Sequence, residues 1–139
     1  MTILLSLIMW LILIVLVAAL AGMAYSAVLA ARCGDPPGHG EEHYVETLDF
    51  WKIRLRRFPP SSGRGEPVLL VHGLNANGNN FTRPVGYSMV DWLSARGYDC
   101  WVIDVRGTRY TTPPDGRSRN EITIDDFVYY DLPAALDYI

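Results

Sequence analysis

No acidic or basic side chain occurs in the first 31 residues, and only two cysteines, Cys33 and Cys100, occur among all 139. Two cysteines exclude a disulfide framework, and both are expected as free thiols, one in a linker and one mid-strand. A surplus of positive charge is also missing. The net charge is −3, which excludes the broad cationic field that nucleic-acid binding requires. Nowhere does the chain contain a Gly-x-Ser-x-Gly turn. A serine held on a sharp strand-to-helix turn is therefore absent, and no residue is assigned as nucleophile.

What is present begins with an apolar run. Ile3 to Ala31 is dominated by Leu, Ile, Val and Ala. At about 1.5 Å per helical residue it reaches roughly 40 Å, against a hydrocarbon core of about 30 Å. The expectation is a single-pass membrane anchor over residues 1–32, with the lipid bilayer as partner through residues 3–31. Trp10 and Tyr25 lie towards its two ends. A cleaved signal peptide is the competing reading. Such peptides start with basic residues and carry about 7–15 apolar ones, whereas here no Lys or Arg precedes Arg32. The side of the membrane stays open. Arg32, Lys52, Arg54, Arg56 and Arg57 all come after the run, but most lie inside the folded part, where the positive-inside rule weakens.

Residues 33–42 form a linker by composition, rich in Pro and Gly. His39-Gly40-Glu41-Glu42-His43 matches the H-x-x-E-H string of some zinc peptidases. That chemistry needs both imidazoles on one helix face. Flanking glycines and nearby prolines argue against a helix, so no metal site and no cofactor is assigned.

Residues 43–139 read as one α/β unit. Two adjacent strands are expected between His43 and Phe58, with a turn near Asp49–Trp51. Arg54, Arg56 and Arg57 alternate with Ile53, Leu55 and Phe58, so the cationic face is expected to be solvated or to protect an edge. Val68–Val71 is apolar on both faces, as in a parallel sheet covered on both sides. Pro84 to Arg96 is expected as a helix that buries Val85, Met89, Trp92 and Leu93, with Thr82 as its cap. Tyr98–Val105 is the next apolar strand and should pair with Val68–Val71 in parallel. Thr123 with Asp126 resembles a capping box at the start of a last helix, which Pro133 should bend or restart.

His72-Gly73-Leu74 after one buried strand and Arg106-Gly107-Thr108 after the next resemble the α/β-hydrolase superfamily. Ala95–Trp101, Arg106–Tyr110 and Tyr130–Ile139 narrow the likeness to acid lipases of the lysosomal and gastric type. The likeness runs from about Glu41 to Ile139, the first third of such an enzyme. It implies a partial α/β-hydrolase sheet: an antiparallel strand pair plus a parallel strand-helix-strand, ending before the nucleophile strand. It also implies that the backbone N–H of Leu74 is one of two oxyanion donors, with Gly73 allowing the tight turn. His72, Gly73, Asp104, Arg106 and Gly107 form the supporting loops. His72 precedes the nucleophile in the chain and is read as structural, since the triad order in this superfamily ends with His. Asp104 and Arg106 are read as braces. Three departures stand out: the turn at Asp49-Phe50 lacks the usual Asp-Gly, Thr111–Asn120 is short, and nucleophile, acid and base are all missing.

The resulting expectation is the N-terminal portion of a membrane-anchored serine hydrolase, lipase- or esterase-like, acting on lipid-like or other apolar esters. Alone it should be inactive. Two alternatives stay open. One is a fragment of a polyester-synthase-like acyltransferase with a Cys nucleophile. The other is a non-catalytic membrane-anchored α/β protein.

Overall fold

The computed structural model describes residues 2–33 and 39–139. The expected linker falls partly on residues 34–38, which lie outside the described residues. Chain contacts divide the protein into two units, Met1–Pro37 and Gly38–Ile139.

The first unit is a single helix, α1 (Thr2–Cys33). Its stretch Leu5–Leu29 is long and apolar enough to cross a bilayer, and none of it is buried against protein. The same properties fit a signal sequence. Its two serines return their hydroxyls to the helix: Ser6 Oγ donates to the Ile3 carbonyl and Ser26 Oγ to that of Met23, each at 2.8 Å. That leaves no serine hydroxyl of the stretch seeking a partner outside it.

The second unit is built on a four-stranded sheet in the order β1-β2-β4-β3. The strands are β1 (Glu41–Glu46), β2 (Lys52–Phe58), β3 (Glu66–Val71) and β4 (Tyr98–Asp104). β2 runs antiparallel to β1 and β4, while β3 lies parallel to β4 with Val68 opposite Cys100 and Val71 opposite Ile103. The expected parallel pair of apolar strands is therefore present. One sheet face carries Ile53, Leu55, Trp101 and Ile103 and is covered by α5 (Leu132–Tyr138) through Ala135. The other carries Phe58, Cys100 and Val102 and is covered by α3 (Met89–Ser94) through Val90. Burying apolar area on both faces is worth about 25 cal/mol per Å², and it fixes strand register because a one-residue slip would exchange the two faces.

Two sequence expectations need correction. Arg54 and Arg56 are not solvated: Arg56 is 1% exposed and Arg54 3%. β2 is an interior strand, and these two cations meet partners rather than water. Arg54 lies opposite Asp104 in register, and its Nε and Nη2 both donate to Asp104 Oδ2, at 2.9 and 2.7 Å. Arg56 Nη2 donates to Asn79 Oδ1 at 3.0 Å. The second correction concerns the helix after β3. A short α2 (Asn79–Thr82) comes first, and α3 starts only at Met89. Gly86, at φ 86°, is incompatible with a helix running through it. Ser88 caps α3 instead of Thr82, in a reciprocal box with Asp91. The shifted start changes the phase: Val90 is buried and Leu93 half-buried, while Val85, Met89 and Trp92 face outward.

The β1–β2 turn closes through Thr47. Its N–H donates to the Trp51 carbonyl at 2.8 Å, and its hydroxyl to Asp49 Oδ1 at 2.6 Å. Phe50 sits in this turn at φ 66° with an exposed ring. A side chain there is strained by roughly 1–2 kcal/mol. Phe50→Gly is expected to raise unfolding stability by about 0.5–1 kcal/mol after the larger backbone entropy of Gly is counted. Chemical denaturation of the two forms checks this.

Among the described residues β3 is a sheet edge, hydrogen-bonded to β4 alone. Such an edge opens more easily than an interior strand. Hydrogen exchange of the monomeric chain is expected to show fast amides in Val68–Val71 and slow ones in Val102–Asp104. Uniform protection of both strands would contradict an open edge.

Candidate active site

The site forms where β3 and β4 end together, because parallel strands release their next loops on the same side. After Val71, the segment His72–Ala76 turns away, and Ala76 N donates to the Gly73 carbonyl at 3.3 Å. After Asp104, Val105–Thr108 turns beside it. The two loops line a cleft of about 440 Å³ that also takes in Arg119, Ile122, Ile124 and Phe127.

Leu74 lies in the turn, outside the strand. Its N–H has no hydrogen-bond partner among the described residues, and its side chain is 69% exposed. An amide in that state at the rim of a cleft is available to an anion.

His72 is buried beneath this loop, with both ring nitrogens occupied by backbone. Nε2 accepts from the Val105 N–H at 3.3 Å, so Nδ1 carries the proton and donates to the Gly73 carbonyl at 2.9 Å. The ring thereby joins the two loops. Neither nitrogen is left to take a proton from a nucleophile.

Asp104 is fully buried at the end of β4. Besides Arg54, it accepts from the Gly78 N–H at 2.7 Å. The Asn-rich loop is thus drawn down onto the sheet. A Cβ on Gly78 would lie 2.6 Å from Val102 Cγ1 and 2.9 Å from Arg56 Nη2, so this close approach requires glycine. Gly107 turns the other loop at φ 88°.

Arg106 is the hub. Its side chain is almost wholly buried. Nη1 and Nη2 donate to the two oxygens of Asp49 at 2.8 Å each, a bidentate pair. Nε donates to Asp131 Oδ1 at 2.9 Å, and the backbone N–H to Asp131 Oδ2 at 2.8 Å. Asp131 ends a π turn (Phe127–Asp131) between α4 (Ile124–Asp126) and α5. Hydrogen bonds from Arg106 hold the Asp49 carboxyl below the usual carboxylate range. Burial pushes the Asp131 carboxyl up, against the pull of the same guanidinium. Burial also opposes the charge on Arg106, but its hydrogen bonds to Asp49 and Asp131 outweigh that and raise its pKa. Asp131 accepts two N–H groups from Arg106, at 2.8 and 2.9 Å, and stands 2.8 Å from its Nη2, which suits a carboxylate and not a carboxylic acid.

The structure thus brings His72, Gly73, Leu74, Arg106 and Gly107 to one cleft, while Asp104 lies beneath the neighbouring loop. The acidic partners Asp49 and Asp131 were not singled out from sequence as site residues. Neither was Arg119, whose Nη1 and Nη2 donate to the Thr108 and Thr111 carbonyls. The zinc-peptidase string is extended, not helical: Gly40 has φ 88° and His43 lies in β1. Among the described residues no group of three or more His, Cys, Asp or Glu side chains is placed to hold a metal ion.

Residues 66–139 match the family model for the alpha/beta hydrolase fold. The chain belongs to the α/β-hydrolase family. It is 32% identical over 113 residues to triacylglycerol lipase 2 of Arabidopsis thaliana, a match that covers 71% of this chain and 27% of that protein. It is 30% identical over 111 residues to the gastric triacylglycerol lipase of Homo sapiens, covering 71% and 28%. Among solved structures, the epoxide hydrolase VrEH1 from Vigna radiata superposes with a TM-score of 0.55 at 26% identity, over 75% of this chain and 30% of that one. The chain therefore spans little more than a quarter of the length of the curated relatives it matches. Lipases stand among those relatives, as the sequence likeness implied.

Removing one partner of a buried ion pair costs about 3–5 kcal/mol, because the remaining charge is stranded. Asp131→Asn is therefore expected to unfold the α/β-hydrolase unit or to lower its stability by about that amount. Exposed Asp137→Asn is expected to change it by less than about 0.5 kcal/mol. Urea denaturation monitored by near-ultraviolet circular dichroism checks both.

Proposed function

We propose that this chain supplies the oxyanion-binding half of a lipase-like serine hydrolase that acts on lipid-like or other apolar esters and is held at a membrane by α1. The observation that carries the reading is the Leu74 amide. It lies just past a parallel strand end and has no hydrogen-bond partner among the described residues. The chemistry is acyl transfer. A serine attacks the ester carbonyl, the carbonyl oxygen becomes an anion, and the Leu74 N–H is one of two donors to it. The serine, its base and the second donor belong to a part of the polypeptide beyond these strands. His72 acts as a positioning residue, since its ring nitrogens are both engaged in holding the donor loop. The apolar lining from Leu74, Ile122, Ile124 and Phe127 favours a hydrocarbon acyl chain. The lipase names of the relatives support this substrate class.

The test is a chimera in which residues 41–139 replace the matching part of the Arabidopsis triacylglycerol lipase 2. It is expected to hydrolyse p-nitrophenyl esters. Leu74→Pro removes the donor and should lower kcat by about 10²–10³ with KM little changed. Leu74→Ala keeps the N–H and should retain most of kcat. Equal loss in both variants would sink the role given to the amide.

A further inference from the structure

Among the described residues no Asp or Glu lines the cleft at the ends of β3 and β4, whereas two arginines do. The charge of Arg106 is matched by Asp49 and Asp131. That of Arg119 is not. Its Nη1 and Nη2 donate to the Thr108 and Thr111 carbonyls, which are neutral, and it forms no ion pair among the described residues. The acids that follow it in the chain are engaged or in water. Asp126 Oδ2 accepts from the Thr123 N–H and hydroxyl at 2.7 and 3.0 Å, and Glu121 and Asp125 are exposed. Thr111 returns its own N–H and hydroxyl to the Thr108 carbonyl, at 3.3 and 3.0 Å, so both acceptors of Arg119 belong to one closed turn. The guanidinium is thereby held in place before any ligand arrives. Of the five N–H donors an arginine carries, two are used here, which leaves the others for an anion.

We propose that Arg119 sets the substrate class of this site: a fatty acyl ester whose alcohol part carries a negative charge, as in an acylated glycerol phosphate. This rests on reading the Leu74 cleft as the place where the ester carbonyl is attacked. Ile122, Ile124 and Phe127 in the same cleft take up the hydrocarbon of the acyl side, so the charged group falls on the alcohol side. A guanidinium that meets only carbonyls keeps its full charge, and in a concave wall that charge is focused rather than dispersed into solvent. A phosphate engages it through charge-assisted hydrogen bonds, roughly twice as strong as neutral ones. An uncharged glyceride offers the same acyl chain and the same carbonyl, but leaves those donors to water.

The experiment uses the full chain, isotope-labelled for heteronuclear NMR and held in micelles of an uncharged maltoside detergent. It is titrated with hexanoyl glycerol phosphate and, separately, with monohexanoylglycerol, while the Leu74 N–H and the Arg119 Nε–H are followed. No residue of the chain is assigned as nucleophile, so both esters are expected to stay intact. The phosphate ester is expected to shift both signals and to bind at least about tenfold more tightly than the uncharged one. Arg119→Gln should abolish that preference and leave the affinity for monohexanoylglycerol unchanged. Arg119→Lys, which keeps the charge but not the planar fork, should retain part of it. An arginine that only braces the Thr108–Thr111 turn predicts instead that Arg119→Gln weakens both esters alike. If the Gln variant loses the amide spectrum of the folded unit, the Lys variant decides: a surviving preference for phosphate supports the charge, and a vanished one overturns it. Equal affinity for the two esters in the unmodified chain, or equal weakening of both by Arg119→Gln, overturns the selection for an anion, and a Leu74 shift in those titrations leaves the oxyanion reading standing. No Leu74 shift from either ester overturns that reading and the selection with it.

Discussion

The guanidinium of Arg106 is the interaction on which the folded unit depends. It comes directly after β4 and Val105, and it reaches back to Asp49 in the β1–β2 turn and across to Asp131 in the last helical segment. Three stretches far apart in sequence are thus held at one point. A cation buried this deeply is tolerated only with its donors matched, and here the bidentate pair and the Asp131 contacts supply that match. The geometry at Asp131 needs the π turn: the extra residue lets Asp131 face β4 while Leu132 and Ala135 still meet the sheet. Pro133 falls just after it, at the second position of α5, where its missing N–H cannot continue the i→i−4 ladder of the preceding turn.

The same logic recurs on the other sheet face. Asp104 neutralises Arg54 and holds Gly78, and His72 spans from the Gly73 carbonyl to the Val105 amide. The polar side chains at the ends of β3 and β4 are therefore committed to backbone and to one another. The N–H of Leu74 is among the backbone groups left without a partner among the described residues. A loop braced from below by a ring and a carboxylate is pre-organised, which is what the proposed role of its amide requires.

Much of this was legible in the chain. The run Tyr98–Val105 reports a strand buried on both faces, whereas Val68–Val71 is only half-buried, with Val71 41% exposed; the helix between them accounts for their parallel pairing. Thr123 and Asp126 were readable as a helix start because the capping box is local: the Thr123 N–H donates to Asp126 at 2.7 Å. The fate of Arg54 and Arg56 was not legible. Alternation reports which side of a strand a residue faces, but not whether that side is wet, and the Asp104 opposite Arg54 lies 50 residues away. The start of α3 was misplaced because two hydroxyls compete for the cap. Thr82 stands just ahead of Pro84, a favourable setting for a cap, but Gly86 interrupts the helix that would start there, and Ser88 has the acid three residues on. The interloop brace made by His72 has no periodic signature at all, since its two backbone partners come from different loops.

Gly78 carries a consequence for how such a chain can diverge. Around it the loop reads Asn75-Ala76-Asn77-Gly78-Asn79-Asn80, of which Asn75 and Asn80 are exposed. Drift is cheap at Asn80, whereas Asn75 at φ 57° favours Asn or Gly and Asn79 holds Arg56. At 78 the smallest possible addition collides with Val102 and Arg56. A glycine fixed at that position would mark the place where the loop is pinned to the sheet, even in descendants whose other loop residues had changed.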